Sequence, residues 1–151
     1  MIYSKILYCF LACYLTTPSG VSEPPQSTIK LTVENIQKAK GHLMIAVYAG
    51  AANFLQDNQA VVQEKALVEK TGLFCIDLPN LPPDEYAIAV YHDVNNNQKL
   101  DTNIFGIPTE PYGFSNNARS KWGPPKYEVA RFGLNESEKD LVIRVEKWSK
   151  Q

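Results

Sequence analysis

The run Asp93-Val94-Asn95-Asn96-Asn97-Gln98-Lys99-Leu100-Asp101 carries an oxygen-bearing side chain at positions one, three and five and closes on a second carboxylate at position nine. Calcium is a hard cation that takes six to eight oxygen ligands at flexible geometry. Loops of the form D-x-[DN]-x-[DN] wrap it with side chains from alternate residues, then a backbone carbonyl, then a further donor. On that pattern the ligands are Asp93, Asn95, Asn97, the carbonyl of Lys99 and Asp101. The match to an EF-hand loop is partial, since that loop has Gly at its sixth position and a bidentate Glu at its twelfth, where this chain has Gln98 and Ile104. The run therefore reads as a calcium loop without EF-hand helices. With two charged ligands, its expected dissociation constant is on the order of 10⁻⁴ to 10⁻³ M, unless a remote carboxylate joins. Glu110 is the nearest acidic residue beyond the loop. The alternative is a solvated turn, whose Asn and Asp side chains bond their own backbone and tolerate left-handed conformations. A turn needs two or three such residues, whereas this run has four at regular spacing.

A second stretch, from Thr102 to Lys126, shows no regular pattern and exceeds the ~12–15 residues beyond which structureless connections are uncommon in compact domains. Ile104, Phe105, Tyr112, Phe114 and Trp122 give it apolar side chains to bury, which disordered segments lack. An ordered loop packed beside the calcium loop is expected. Tyr112, Phe114, Asn116, Asn117, Arg119 and Trp122 are the candidate ligand-binding residues, a platform of rings and amides for a sugar or a peptide. The alternative is that they pin the loop to the domain. The only histidines are His42 and His92. No sequence neighbour marks either as part of a triad, and His92 reads as a hydrogen-bonded structural residue rather than a general base.

These loops need a scaffold, and the alternation of the chain supplies one. Ile29, Leu31 and Val33 alternate with Lys30, Thr32 and Glu34, the signature of a half-buried strand. Leu43-Met44-Ile45-Ala46-Val47-Tyr48 is apolar on both sides, as in a central strand. Phe54 tucks inward from a short helical turn or loop. Val61 to Glu69 is a weaker strand, and Thr71-Gly72 turns the chain into a strand with Phe74, Ile76 and Leu78 on one side. Cys75 in that pattern reads as a small buried hydrophobe. After the Pro-rich corner 79–83, Tyr86, Ile88, Val90 and His92 share one side of a strand that runs directly into the calcium loop. Tyr86 is placed to make a tyrosine corner or to pack in the core. Glu128 to Leu134 and Leu141 to Val145 complete about seven strands. The pattern, without a convincing amphipathic helix, predicts an all-β fold: an antiparallel β-sandwich, immunoglobulin-like or transthyretin-like, with a long ordered loop.

The front end is different. Lys5, an apolar run from Ile6 to Leu15, and a polar exit through Thr16-Thr17-Pro18-Ser19-Gly20 form the layout of a secretory signal, with too few apolar residues to span a bilayer as a helix. The expected division is a signal peptide over 1–22 and a single sandwich domain over 23–151. Without Lys5 the 15 basic side chains become 14 against 16 acidic ones, a net charge near −2. No basic stripe is present, which argues against a nucleic-acid partner, and no later stretch is apolar and long enough for a transmembrane helix.

The succession Leu81-Pro82-Pro83-Asp84-Glu85-Tyr86 through His92-Asp93, the Asn-rich loop, Gly106-Ile107-Pro108, Tyr112-Gly113-Phe114-Ser115-Asn116-Asn117-Ala118 and Gly123-Pro124-Pro125 resembles the exported bacterial proteins grouped as domain of unknown function 2141. The resemblance implies a secreted or periplasmic β-sandwich and brings no established reaction or ligand. In that family the positions of Asn96 and Gln98 are often Gly, so this loop is the less flexible form. A transthyretin-like fold also carries hydrolases of urate breakdown, but their C-terminal Tyr-Arg-Gly-Ser has no counterpart in Lys147-Trp148-Ser149-Lys150-Gln151.

The expectation is an exported, non-catalytic sandwich in which calcium is structural and supports the aromatic loop for an envelope or extracellular partner, glycan or protein. The alternatives are a cell-envelope hydrolase using His92 or Arg119, and a carbohydrate-binding module.

Overall fold

The computed structural model describes residues 26–148, so the leader expected over 1–22 lies outside the described residues. Strict alternation sets the first strand, β1 (Ser27–Ile36): Ile29, Leu31 and Val33 are fully buried and the residues between them face outward. β2 (His42–Ala49), β3 (Val62–Leu67), β4 (Gly72–Leu81) and β5 (Asp84–Asp93) follow, then β6 (Tyr112–Phe114), β7 (Phe132–Leu134) and β8 (Glu138–Arg144). One sheet has the order β4-β1-β8 and the other β3-β2-β5-β6, with β7 also paired to β5. Their inner faces meet in one apolar core that includes Ile29, Leu31 and Val33 from the first sheet and Leu43, Ile45, Val47, Ile88 and Val90 from the second. The chain is thus an all-β sandwich, as its alternation predicts.

Three features differ from expectation. β1 and β8 pair in parallel, whereas the other strand pairs are antiparallel. The segment expected as one strand over 128–134 is a helical turn, α1 (Tyr127–Ala130), followed by the three-residue β7. Tyr127 and Ala130, three apart, bury one helical face, a spacing that alternation cannot serve. Cys75 is exposed rather than buried, because Phe74, Ile76 and Leu78 take the inner side of β4 and turn the thiol outward beside the Thr32 hydroxyl.

Tyr86 makes the expected corner: its hydroxyl donates to the Pro82 carbonyl at 2.8 Å while its ring is 2% exposed. Phe54 also turns inward, into a second cluster with Tyr48, Phe114 and Tyr127, whose ring contacts are edge-on at 5.7 to 6.2 Å. Two paired hydrogen bonds between Tyr112 and Glu146 join β6 to the chain beyond β8 and tie the two sheets at one edge. The approach there is so close that a Cβ on Gly113 would lie 2.6 Å from the Arg144 carbonyl oxygen.

Candidate functional site

The Asn-rich loop begins where β5 ends. In the β2–β5 register Asp93 faces His42, and Gly41, at φ +77°, lets the two backbones approach where any Cβ would collide with the Asp93 carbonyl. The Asp93 side chain is fully buried. One carboxylate oxygen accepts the N–H of Asn97 at 3.2 Å and the other the N–H of Gln98 at 2.8 Å. The next oxygens repeat the motif, Asn95 Oδ1 accepting from Asn97 N–H at 3.1 Å and Asn97 Oδ1 from Lys99 N–H at 2.9 Å. Each side chain thus bonds the backbone two to five residues ahead, and the chain coils around Asp93. Asn96 and Gln98 both adopt φ +63°. Gly reaches that region without steric cost, so both L-residues are held there by the loop's own bonds.

The loop closes on Asp101, whose two carboxylate oxygens accept the side-chain amides of Asn95 at 2.6 Å and Asn97 at 2.7 Å. Asp93, Asn95, Asn97 and Asp101 are therefore brought into one hydrogen-bonded ring. Lys99 enters it through its N–H, and its side chain is exposed. Glu110 also joins, as the sequence suggested, but from outside the ring. It is 7% exposed and accepts the N–H of Val94 at 2.8 Å and of Asp101 at 3.2 Å, so it clasps both ends of the loop. The twelfth position, Ile104, is 93% exposed.

Two contacts have no local sequence signal. His42 Nδ1 lies 2.6 Å from Asn96 Oδ1, and with an amide oxygen as acceptor the ring nitrogen is the donor. His42 reaches the loop only through strand pairing. His92 is 1% exposed, and its Nε2 donates to the Lys40 carbonyl at 2.8 Å. That is the structural role expected of it. A shallow cleft of about 110 Å³ opens beside the loop between Gln37, Lys38, His92, Glu110 and Lys147.

The charge balance of this end is unusual. Among the described residues no Lys, Arg or His forms an ion pair with Asp93, Asp101 or Glu110; the ion pairs of the described residues engage Glu85, Glu136, Glu138 and Glu146 instead. Two buried carboxylates and a half-buried third are thus held by N–H donors alone. A buried ionised carboxylate without a counter-charge is costly. Among the described residues no three His, Cys, Asp or Glu side chains converge as a metal group; a cation held here would have to draw on Asn amide oxygens and backbone carbonyls as well.

The six candidate binding residues do not form one platform. Phe114 is buried in the second apolar cluster, and Tyr112 packs against it with ring centroids 5.9 Å apart. Asn116 donates its amide to the carbonyls of Val129 and Arg131, and Asn117 bonds Val142 and Arg144 through both ends of its amide. Both residues have left-handed backbones, at φ +57° and +49°. Arg119 lies over the Tyr112 ring, 5.8 Å from its centroid, and reaches Glu146 and the Arg144 carbonyl. These five pin the long connection to β8 and α1. Trp122 is 76% exposed, and Ile104 and Phe105 are 93% and 79% exposed. Those three were expected to be buried with Tyr112 and Phe114, and they are not, because the turns and bends that carry them bring them to neither apolar cluster.

Residues 31–142 match the family described as an uncharacterized protein conserved in bacteria, DUF2141, and the chain belongs to that family. No curated protein and no solved structure matches it.

Proposed function

We propose that this member of the family is an exported, non-catalytic sandwich that holds a structural calcium ion in the 93–101 loop. The ligands are the side-chain oxygens of Asp93, Asn95, Asn97 and Asp101 and the carbonyl of Lys99. The single observation that carries the proposal is the surplus of negative charge described above: two carboxylates on the loop and a third, Glu110, clasping it from outside, two of the three buried, with no ion-pair partner among the described residues. A divalent cation supplies the missing counter-charge, and the Asx-type bonds from Asp93, Asn95 and Asn97 hold the backbone in the coil that such a loop needs. Left-handed Gln98 makes the sharp turn that the sixth position requires. Calcium binding would require the Asn95 and Asn97 amides to release Asp101 and turn their oxygens inward, which keeps the affinity modest. Support for export is the leader-like run that includes Lys5 and Ile6 to Leu15.

Thermal unfolding in EDTA and in ~10 mM calcium tests the metal. At about 100 times its dissociation constant a ligand stabilises the fold by roughly 2.7 kcal/mol, several degrees for a domain of this size. The rise should be specific to calcium and absent in Asp101→Asn, whose half-buried side chain can change without opening the core. Equal melting in EDTA and calcium would reduce the loop to turn chemistry.

A further inference from the structure

The cleft beside the loop is lined by charges of both signs that do not meet. Two of its polar residues are buried, His92 at 1% and Glu110 at 7% exposure, and two are exposed cations, Lys38 and Lys147. Neither lysine forms an ion pair with Glu110, or with any other acid among the described residues.

Both buried residues keep capacity to accept. Each Glu110 oxygen takes one backbone N–H, from Val94 at 2.8 Å and from Asp101 at 3.2 Å. A carboxylate has about four lone-pair sites, so about two stay open. His92 donates from Nε2 to the Lys40 carbonyl at 2.8 Å, which leaves Nδ1 of the neutral ring as an acceptor. Among the described residues Nδ1 has no partner, whereas no side-chain nitrogen or oxygen sealed from solvent lacks one. Nδ1 is therefore the open part of a ring that lines the cleft and is otherwise buried.

Size and charge narrow the ligand. Pockets for drug-sized molecules run to about 300–1,000 Å³, whereas this cleft offers about 110 Å³, room for a group of a few heavy atoms. A simple anion suits the lysines but meets the Glu110 carboxylate. A simple cation suits Glu110 but meets two ammonium groups. A small molecule that carries both charges satisfies both sides.

We propose that the cleft binds a small amino acid as its zwitterion, with the ammonium directed to Glu110 and His92 Nδ1 and the carboxylate to Lys38 and Lys147. An ammonium brings three donors to the acceptors of the buried side, and a carboxylate only accepts, as the lysines require. Glu110 lies outside the ring of Asp93, Asn95, Asn97 and Asp101 proposed to hold calcium, so the amino-acid site does not depend on the metal.

Glycine, β-alanine and γ-aminobutyrate differ only in the separation of their two charges. Each is titrated into the isotope-labelled protein in EDTA, and the backbone amides of Lys38, His92, Val94 and Glu110 are followed by NMR. At least one of the three should shift these amides saturably, with a dissociation constant on the order of millimolar for so small a ligand. For the best of them, N-acetylation removes the ammonium and conversion to the amide removes the carboxylate, and each should weaken binding at least about tenfold. Lys38→Gln/Lys147→Gln, at two exposed positions, should weaken it as much with unchanged melting. No saturable shift from any of the three at ~50 mM would overturn the proposal. Undiminished binding of the N-acetyl form would also overturn it, since the cleft would then take a plain anion, as would undiminished binding to the double variant. Saturable shifts in EDTA with no calcium rise in melting would uphold the cleft and refute the metal, and a calcium rise without such shifts would do the reverse.

Discussion

Glu110→Gln removes one charge from a nearly buried carboxylate and leaves its shape in place. The two oxygens accept from Val94 at 2.8 Å and from Asp101 at 3.2 Å, so this side chain holds both ends of the loop to the rim of the sandwich. A hydrogen bond to a charged group contributes about 1.5–3 kcal/mol, and a buried donor left unpaired costs about 1–3 kcal/mol. Glutamine keeps one acceptor and turns an amide N–H toward the other donor. The shorter bond holds the oxygen at Val94, and the Asp101 N–H then faces another donor. Asp101 is only half-buried, which places the loss in the lower part of those ranges, about 2–3 kcal/mol. If the loop opens with the whole domain, melting falls by roughly 6–15 °C. If the loop opens alone, melting moves less, and exchange of the Val94 and Asp101 amides accelerates about 30- to 150-fold instead. Hydrogen exchange by NMR, read with thermal melts in EDTA, distinguishes the two. Unchanged exchange at both amides together with unchanged melting would refute the role of Glu110 as the clasp.

Gln98→Gly should stabilise the metal-free domain by up to about 1 kcal/mol, since a left-handed L-residue costs about 1–2 kcal/mol and the added entropy of Gly about 0.5–1; denaturant unfolding checks it, and a lower midpoint counts against the strain. Gly113→Ala should cost about 1–3 kcal/mol by forcing β6 from the chain beyond β8, with the amides of Tyr112 and Glu146 losing protection from exchange; if they remain protected, the sheets are not joined there. Tyr48, Tyr86 and Tyr91 have phenol pKa values raised above the ordinary range, first by burial and then by neighbouring charges, Asp93 and Glu110 in the case of Tyr91. Raised folded-state values mean that their contribution is complete below the ordinary phenol pKa near 10 and is lost as pH climbs through the folded values. Stability should fall above about pH 10, in step with late phenolate absorbance at 295 nm, and melting that stays level through that interval would contradict it.

The sandwich was legible because its strands alternate: Ile29, Leu31 and Val33 could face only one way once their polar neighbours faced the other. The parallel pairing of β1 with β8 was not, since alternation shows which face is buried and not which strand lies alongside. The loop residues could be named from spacing, and so could Glu110 as a remote carboxylate. His42 and Gly41 could not, because strand pairing alone carries them to the loop. The aromatic stretch misled for a physical reason. Composition counts apolar side chains, but position on the turn decides their fate: Phe114 follows β6 into the core, whereas Phe105 sits at the end of a hairpin stiffened by Asn103. Asn116 and Asn117 read as members of a ligand platform, and composition did not show that they have left-handed backbones and that their amides hold backbone of neighbouring elements.

One residue joins the candidate loop to the turn that follows it. Asp101 uses three separate groups in three directions: its carboxylate holds Asn95 and Asn97, its N–H donates to Glu110, and its carbonyl accepts both donors of Thr109 at the base of the apolar turn. The loop touches the carboxylate, and the turn hangs from the carbonyl. A cation that takes the carboxylate must break the Asn amide contacts, yet it need not disturb the carbonyl that supports the tip. Metal binding would then change the charge beside the turn while leaving its geometry in place, and since exposed charges are screened over about 8–10 Å at physiological salt, the electrostatic reach of that change should shrink as ionic strength rises.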